Sequence, residues 1–424
     1  MTEQLKLKLN DSKATRWGAL VIVAFTMMAA YYVNDVVAPL KTMLETDLAW
    51  SSTDFGFFTG GYSFLNVFFL MLIWGGLILD RFGIRFTGKL ATILMVGGTA
   101  LEYYAMTGLA GADATLFGIN EIFGYKTGVF VAFAGYSIFG VGAEVAGITV
   151  SKIIAKWFRG KELATAMGVQ VALARIGSQA GYAVAIPLAR AFGISTPVLL
   201  GLVLLLGGMI AFFIFAVMDK KLDKQMEAAA IAAGTEDEEE KFSFKDVKNI
   251  LVNPGFWLIA LLCVLFYSCV FPFQKFASEL MIIKYGINEN VAGTFAGLPA
   301  LGALILTPVF GGFIDKRGKS ASIMLLGSAM LICVHFIYAI PDINYWLVAI
   351  VLMIILGIAF SLVPSAMWPA VAKIFPVSQL GTGYALIFFI QNIGLWGIPT
   401  LIGWVLDAYC ISVSYTHLTL PTKA

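Results

Sequence analysis

Eleven apolar runs of about twenty residues or more divide this 424-residue chain almost from end to end. They cover residues 17–40, 53–79, 86–108, 128–152, 163–188, 197–218, 256–278, 292–314, 321–340, 345–367 and 380–404. About twenty apolar residues in helical form cross the hydrocarbon core of a bilayer. In that medium a segment must satisfy its own backbone hydrogen bonds, and a helix does so. Only 13% of the residues are charged and mean hydropathy is +0.87, whereas soluble domains carry roughly 25% charged residues. The pattern predicts an all-α polytopic protein whose surroundings are lipid, with no nucleic acid among its partners.

Basic residues orient the chain. Cytoplasmic connections carry an excess of Lys and Arg. With the N-terminus inside, 21 of the 28 Lys and Arg fall in inner segments and only Lys41, Lys126, Arg190, Lys275 and Lys284 in outer ones. Arg175 is intramembrane and Lys423 lies in the tail. The N-terminus and the polar stretch 219–255, which includes the acidic run Glu236–Lys241, are therefore expected in the cytoplasm.

Two octets half a chain apart show an internal repeat. Gly76-Leu-Ile-Leu-Asp80-Arg81-Phe-Gly83 and Gly311-Gly-Phe-Ile-Asp315-Lys316-Arg-Gly318 share the pattern G-x-x-x-D-[RK]-x-G where an apolar run meets a basic loop. A second echo pairs Ala155-Lys156-Trp-Phe158 with Ala372-Lys373-Ile-Phe375, followed by Leu163-Ala-Thr165 and Leu380-Gly-Thr382. Duplication of this kind predicts a bundle over 1–218, a linker over 219–255 and a second bundle over 256–407, the parallel-repeat plan of secondary transporters. Residues 408–424 are too few and too polar for a twelfth span and are read as a non-native tail.

Asp80, at a helix end, can accept hydrogen bonds from a neighbouring helix N-terminus and pair with an arginine. The octet residues Gly76, Asp80, Arg81, Gly83 and Arg85, with Gly311, Asp315, Lys316 and Gly318, are thus candidates for a cytoplasmic gate. The alternative is that Asp80 and Arg81 only cap and orient their helices.

Cys263, Cys269, Cys333 and Cys410 lack metal-ligand spacing and read as inert thiols, and His335 and His417 lack the partners of a triad or zinc site. No cofactor, no metal and no enzyme activity is expected, and no cleavable signal peptide is evident. Ionisable groups inside a span cost about 2.5–3.5 kcal/mol or more, so they face a cavity or a partner. Four stand out: Asp35, Glu102, Glu144 and Arg175. Glu144 and Arg175 have similar depths, which fits an ion pair or a shared site. Arg175 can hold a carboxylate in a bidentate fork while Glu144 or Asp35 meets an ammonium. Tyr62 and Asn66 add polar reach, as do Tyr31, Tyr32 and Asn34 near Asp35. Gln391 and Asn392 take the repeat positions of Ala174 and Arg175 and could complete the site. Glu102 is a weaker candidate for the site, and Gln274, Lys275 and Glu279 are expected at a solvated helix end near Pro272.

The octets, the first extended to Arg85, together with two bundles and a linker, resemble the major facilitator superfamily over essentially the whole chain. Lys156-Trp157-Phe158-Arg159-Gly160-Lys161 resembles that family's basic, aromatic loop before its fifth helix. The resemblance implies two six-helix bundles related by a pseudo-two-fold, here with the twelfth helix missing, and alternating access by a monomer. Span five lacks the antiporter pattern G-x-x-x-G-P-x-x-G-G. Tyr62-Ser-Phe-Leu-Asn66, Gly75 through Arg85, and Glu144 with Arg175 are similar to the branch whose animal members are lysosomal dipeptide uniporters, and to its bacterial relatives. That implies dipeptide or amino-acid-like cargo, with or without protons; short loops and plain termini suit a bacterial inner membrane. An organic-anion or sugar-type facilitator and a proton-coupled antiporter are the rivals within the class. A non-transporting membrane sensor is the rival outside it.

Overall fold

The computed structural model describes residues 8–111, 114–158, 161–233, 244–374 and 377–410. Arg159, Gly160, the acidic run 236–241 and the tail from residue 411, with His417 and Lys423, lie outside the described residues, as do the side chains of Asp315, Cys410 and the repeat segment 372–382 except Ile374. Fourteen α-helices follow one another: α1 Lys13–Val36, α2 Lys41–Asp47, α3 Ser52–Phe68, α4 Met71–Thr107, α5 Thr127–Trp157, α6 Leu163–Phe192, α7 Thr196–Ala233, α8 Phe244–Val252, α9 Pro254–Ile283, α10 Glu289–Ala296, α11 Leu298–Arg317, α12 Ser320–Ala339, α13 Trp346–Ile374 and α14 Val377–Val405.

Among the described residues, eight helices are long and apolar enough to cross a membrane, or nine if the bent pair α3–α4 counts as one span. Two features account for the difference from eleven runs. Gly83 (φ 76°, ψ 173°) interrupts α4, so the helical stretches on either side are separate passages, and a break at Phe69–Leu70 bends the first of them. Helix α6 spans 30 residues, about 45 Å at 1.5 Å per residue, yet Gln170, Arg175 and Gln179 reduce its hydropathy. Gly318, the octet counterpart of Gly83, also has positive φ (67°) and ends α11. A side chain is rarely tolerated in that region of backbone space.

The two halves pack alike. In the first, α1 lies on α6, α4 on α5 and α3 on α5; in the second, α9 lies on α14, α12 on α13 and α11 on α13. Across the halves α3 meets α14 and α11 meets α6, again an equivalent pair. Each half has its own apolar core, with Phe276 joining the first and Tyr182 the second. This is the two-bundle, all-α fold expected from the repeat. No counterpart of α7 follows α14 among the described residues.

The polar stretch after residue 218 departs from a solvated linker. Helix α7 continues to Ala233, and Asp219 is fully buried against Lys156 and the Trp157 indole. A further difference concerns Pro272, which lies inside α9 and does not end it. Neighbouring groups can re-satisfy the carbonyls a membrane proline frees. His335 on α12 places Nε2 3.2 Å from the Cys269 carbonyl oxygen, one residue from that gap.

Candidate functional site

Midway along the bundle, two opposite charges lack ionic partners among the described residues. Glu144 on α5 accepts a hydrogen bond from Tyr62 Oη of α3 at 3.0 Å. Among the described residues, Arg175 on α6 has no hydrogen bond or ion pair. Its guanidinium carbon is 5.7 Å from the Tyr31 ring centroid and 5.0 Å from that of Phe360. Tyr31 belongs to the first half and Phe360 to the second, so Arg175 sits where the halves face each other. Glu144 and Arg175 do not form the direct ion pair their depths allow, although both are within electrostatic reach of Tyr31.

Other expected residues are placed less openly. Asn66 is buried, with its Nδ2 3.5 Å from the Tyr62 carbonyl and Oδ1 unpartnered. In the second half Gln391 accepts a weak hydrogen bond from the Cys263 thiol at 3.3 Å. Asn392 donates to the Phe388 carbonyl within its own helix, which leaves its Oδ1 bare. Asp35 is not free to meet a cargo ammonium: Lys275 Nζ lies 3.2 Å from its Oδ1.

That contact corrects the expectation of a solvated end for α9. Lys275, with 11% of its side chain exposed, also donates to the Asn34 carbonyl and to Tyr136 Oη (3.2 Å). Tyr136 in turn donates to the Asn34 carbonyl at 2.8 Å. One turn along, Glu279 accepts from Lys41 at 2.5 Å, and Lys41, 1% exposed, also bonds Glu45 and Ser52. Gln274 is buried and its carbonyl accepts from Tyr182 of α6.

Further polar tethers cross between the halves at the same end. The Asp407 carboxylate accepts the first amides of α3, Ser52 N at 3.0 Å and Thr53 N at 2.6 Å, where an anion meets the positive end of the helix dipole. Arg190 pairs with Glu289 and bonds Asn290 at 2.9 Å. Among the described residues every ion pair between the halves lies at this end, away from the N-terminus. The available signal was scarcity: Lys41, Arg190 and Lys275 are three of the five cations in segments that otherwise have almost none.

At the opposite, basic end, the ion pairs among the described residues stay within the first half. Asp80, whose side chain is 65% exposed, is bonded by Lys152 at 3.0 Å. Arg81 stacks on Phe82, and Arg85 bonds Asp223 at 2.6 Å and approaches Asp219 to 3.5 Å. Gly76 and Gly311 have open space where a Cβ would be, and Lys316 is exposed. Among the described residues, the first octet makes no ion pair with the second half.

Glu102, a weaker candidate among the four intramembrane charges, is 0% exposed on α4, with neither carboxyl oxygen hydrogen-bonded.

A family model described as Major Facilitator Superfamily matches residues 20–397. The chain is 29% identical over 409 residues to the lysosomal dipeptide transporter MFSD1 of Homo sapiens, covering 93% of this chain and 81% of that protein. It is 33% identical over 286 residues to the Gallus gallus protein of that name, covering 64% and 62% respectively. Among solved structures, a bacterial homolog of the human lysosomal transporter Spinster superposes with a TM-score of 0.67 at 16% identity, covering 96% of this chain and 85% of that one. The nucleoside transporter NupG gives the same score at 13% identity, covering 92% and 91%.

Proposed function

The chain belongs to the Major Facilitator Superfamily, and from that premise we propose that it is a secondary transporter that moves small zwitterionic solutes, dipeptides first, by alternating access. One observation carries the reading. Among the described residues, a guanidinium and a carboxylate without ionic partners lie midway along neighbouring helices, Arg175 where the two halves face each other and Glu144 within reach of the same Tyr31. Arg175 has its full set of donors available for a substrate carboxylate, while Glu144, held by Tyr62, can receive an ammonium.

The same charges supply a transport logic. Closing the basic end over an empty site would bury two uncompensated charges, which is strongly unfavourable. A bound zwitterion neutralises both and removes that penalty, so occupancy and closure are linked. With the N-terminus and the connection 219–255 in the cytoplasm of a bacterial inner membrane, tethers confined to the far end make this conformation inward-facing. The bundles 1–218 and 256–407 rock as units, acting as a monomer. On closure of the inner side the exposed Asp80 and its Asp315 counterpart become available to latch the halves.

Uptake of dipeptide into proteoliposomes tests the reading. It should be lost in Arg175→Ala and kept in Lys126→Ala. Glu144→Gln distinguishes cargo classes: zwitterion uptake should fall, whereas an organic anion held by Arg175 alone would still be carried. Unchanged dipeptide uptake in both Arg175→Ala and Glu144→Gln would remove the site assignment.

A further inference from the structure

Glu102 has no role in the site described above, yet it is the most unusual carboxyl in the described chain. It lies five residues from the far end of α4, fully buried, with both oxygens unpartnered. Helix α5 presses against it so closely that a Cβ on Gly135 would fall 2.9 Å from the Glu102 amide nitrogen. An ionised carboxylate left without a hydrogen bond in such a place is very costly, and such a group takes a proton instead.

The titratable and charged groups that face it are few. Tyr136 on α5 and Lys275 on α9 lie within its electrostatic reach. Asp35 on α1 stands beyond them, bonded to Lys275. Helix α7, the other long helix packed on α4, has no titratable residue between Thr196 and Met218.

We propose that Glu102 is the proton-binding site of a proton-coupled transport cycle, exchanging its proton through the Tyr136–Lys275–Asp35 cluster and setting the strength of the far-end gate. With Glu102 neutral, the Lys275 ammonium belongs to Asp35, the contact that ties the gate. With Glu102 ionised, its anion competes with Asp35 for the single facing cation and loosens the tie. The linkage is reciprocal: gate closure favours proton uptake as much as the proton favours closure. One proton therefore enters with the far end open, travels with the closed gate, leaves on the basic side, and its loss promotes reopening.

The inference rests on the transporter reading, and two measurements keep their failures apart. Infrared difference spectra of the purified full chain, titrated with pH, read the protonated-carboxyl C=O stretch without any substrate. A band present in the wild type and missing in Glu102→Gln is expected; a titration spectrum identical in the two overturns the site. In proteoliposomes, an acidic exterior should drive dipeptide accumulation, up to about tenfold per pH unit for one proton. Glu102→Gln should retain counterflow exchange and lose the accumulation, while Glu102→Asp, which keeps an ionisable carboxyl, should retain both. Wild-type uptake that ignores the gradient, or Glu102→Gln accumulating like the wild type, overturns the proposal. A Glu102-dependent band in a protein that carries no dipeptide sinks the cargo assignment and leaves the proton site standing.

Discussion

Arg175 between two aromatic faces is a residue whose chemistry depends on shape as much as charge. Tyr31 and Phe360 hold the guanidinium as a plane, and a plane presents two parallel donors to a carboxylate whereas an ammonium presents a point. Arg175→Lys should therefore keep transport but raise KM by roughly tenfold, about 1.4 kcal/mol, as read from initial rates in proteoliposomes. Equal KM in the two proteins would mean that the fork is not used. Tyr62→Phe removes only the donor to Glu144, a hydrogen bond to a charged group worth about 1.5–3 kcal/mol. Its expected effect is a KM increase together with a lower thermal midpoint in the substrate-free protein. Both residues were legible because a charge or a polar ring in an apolar run has few structural explanations. Asp35 was legible as important and illegible in role, since the cation that claims it comes from 240 positions away.

At the scale of elements, sequence reading succeeded where backbone geometry demands a particular residue. Both octets end in a glycine at positive φ, and each marks the turn between two passages. It failed at Pro272, because a proline that would end a soluble helix is carried through a membrane one, and so the Lys275–Glu279 turn was placed in solvent. Close helix packing adds a prediction. A Cβ at Gly140 would lie 2.1 Å from the Tyr62 carbonyl oxygen, which forces α3 and α5 apart at the level of the Tyr62–Glu144 bond. Gly140→Ala should cost about 1–3 kcal/mol as overpacking does, seen as a lower thermal midpoint with weaker substrate binding. The N-terminal turn supplies a pH test. Lys161 hydrogen-bonds Asp11 and holds its carboxyl below the usual range, while a backbone hydrogen bond and then Arg16 do the same for Glu162. Depressed carboxyl values add stability above the unfolded value and lose it on acidification. Amide protection at Leu9–Arg16 should hold near neutrality and fall below about pH 4; in Asp11→Asn that acid loss should be reduced.

Across the whole molecule, the two-bundle plan follows from repeat and periodicity, but the conformation does not. Which end is tied depends on pairings between distant helices, and no single run of sequence encodes them. The Lys41–Glu279 pair shows how this can be measured. Both side chains are largely buried with the far end closed, so removing one partner leaves an unpaired charge away from water, a change that typically costs about 3–5 kcal/mol. Opening the far end would return that charge to solvent, so the stress acts on the conformational equilibrium before it acts on the fold. Lys41→Met should accordingly shift the population toward a state open at the far end. Spin labels at Thr46 and Asn288, both exposed there, should report a longer distance. The double variant Lys41→Met/Glu279→Gln removes the more buried carboxylate with its cation, leaves only the more exposed Glu45 without its ionic partner, and should shift the distance less than the single change. If the double variant opened as much as the single one or more, the pair would be acting by its attraction and the burial of an orphaned carboxylate would not be what drives the gate.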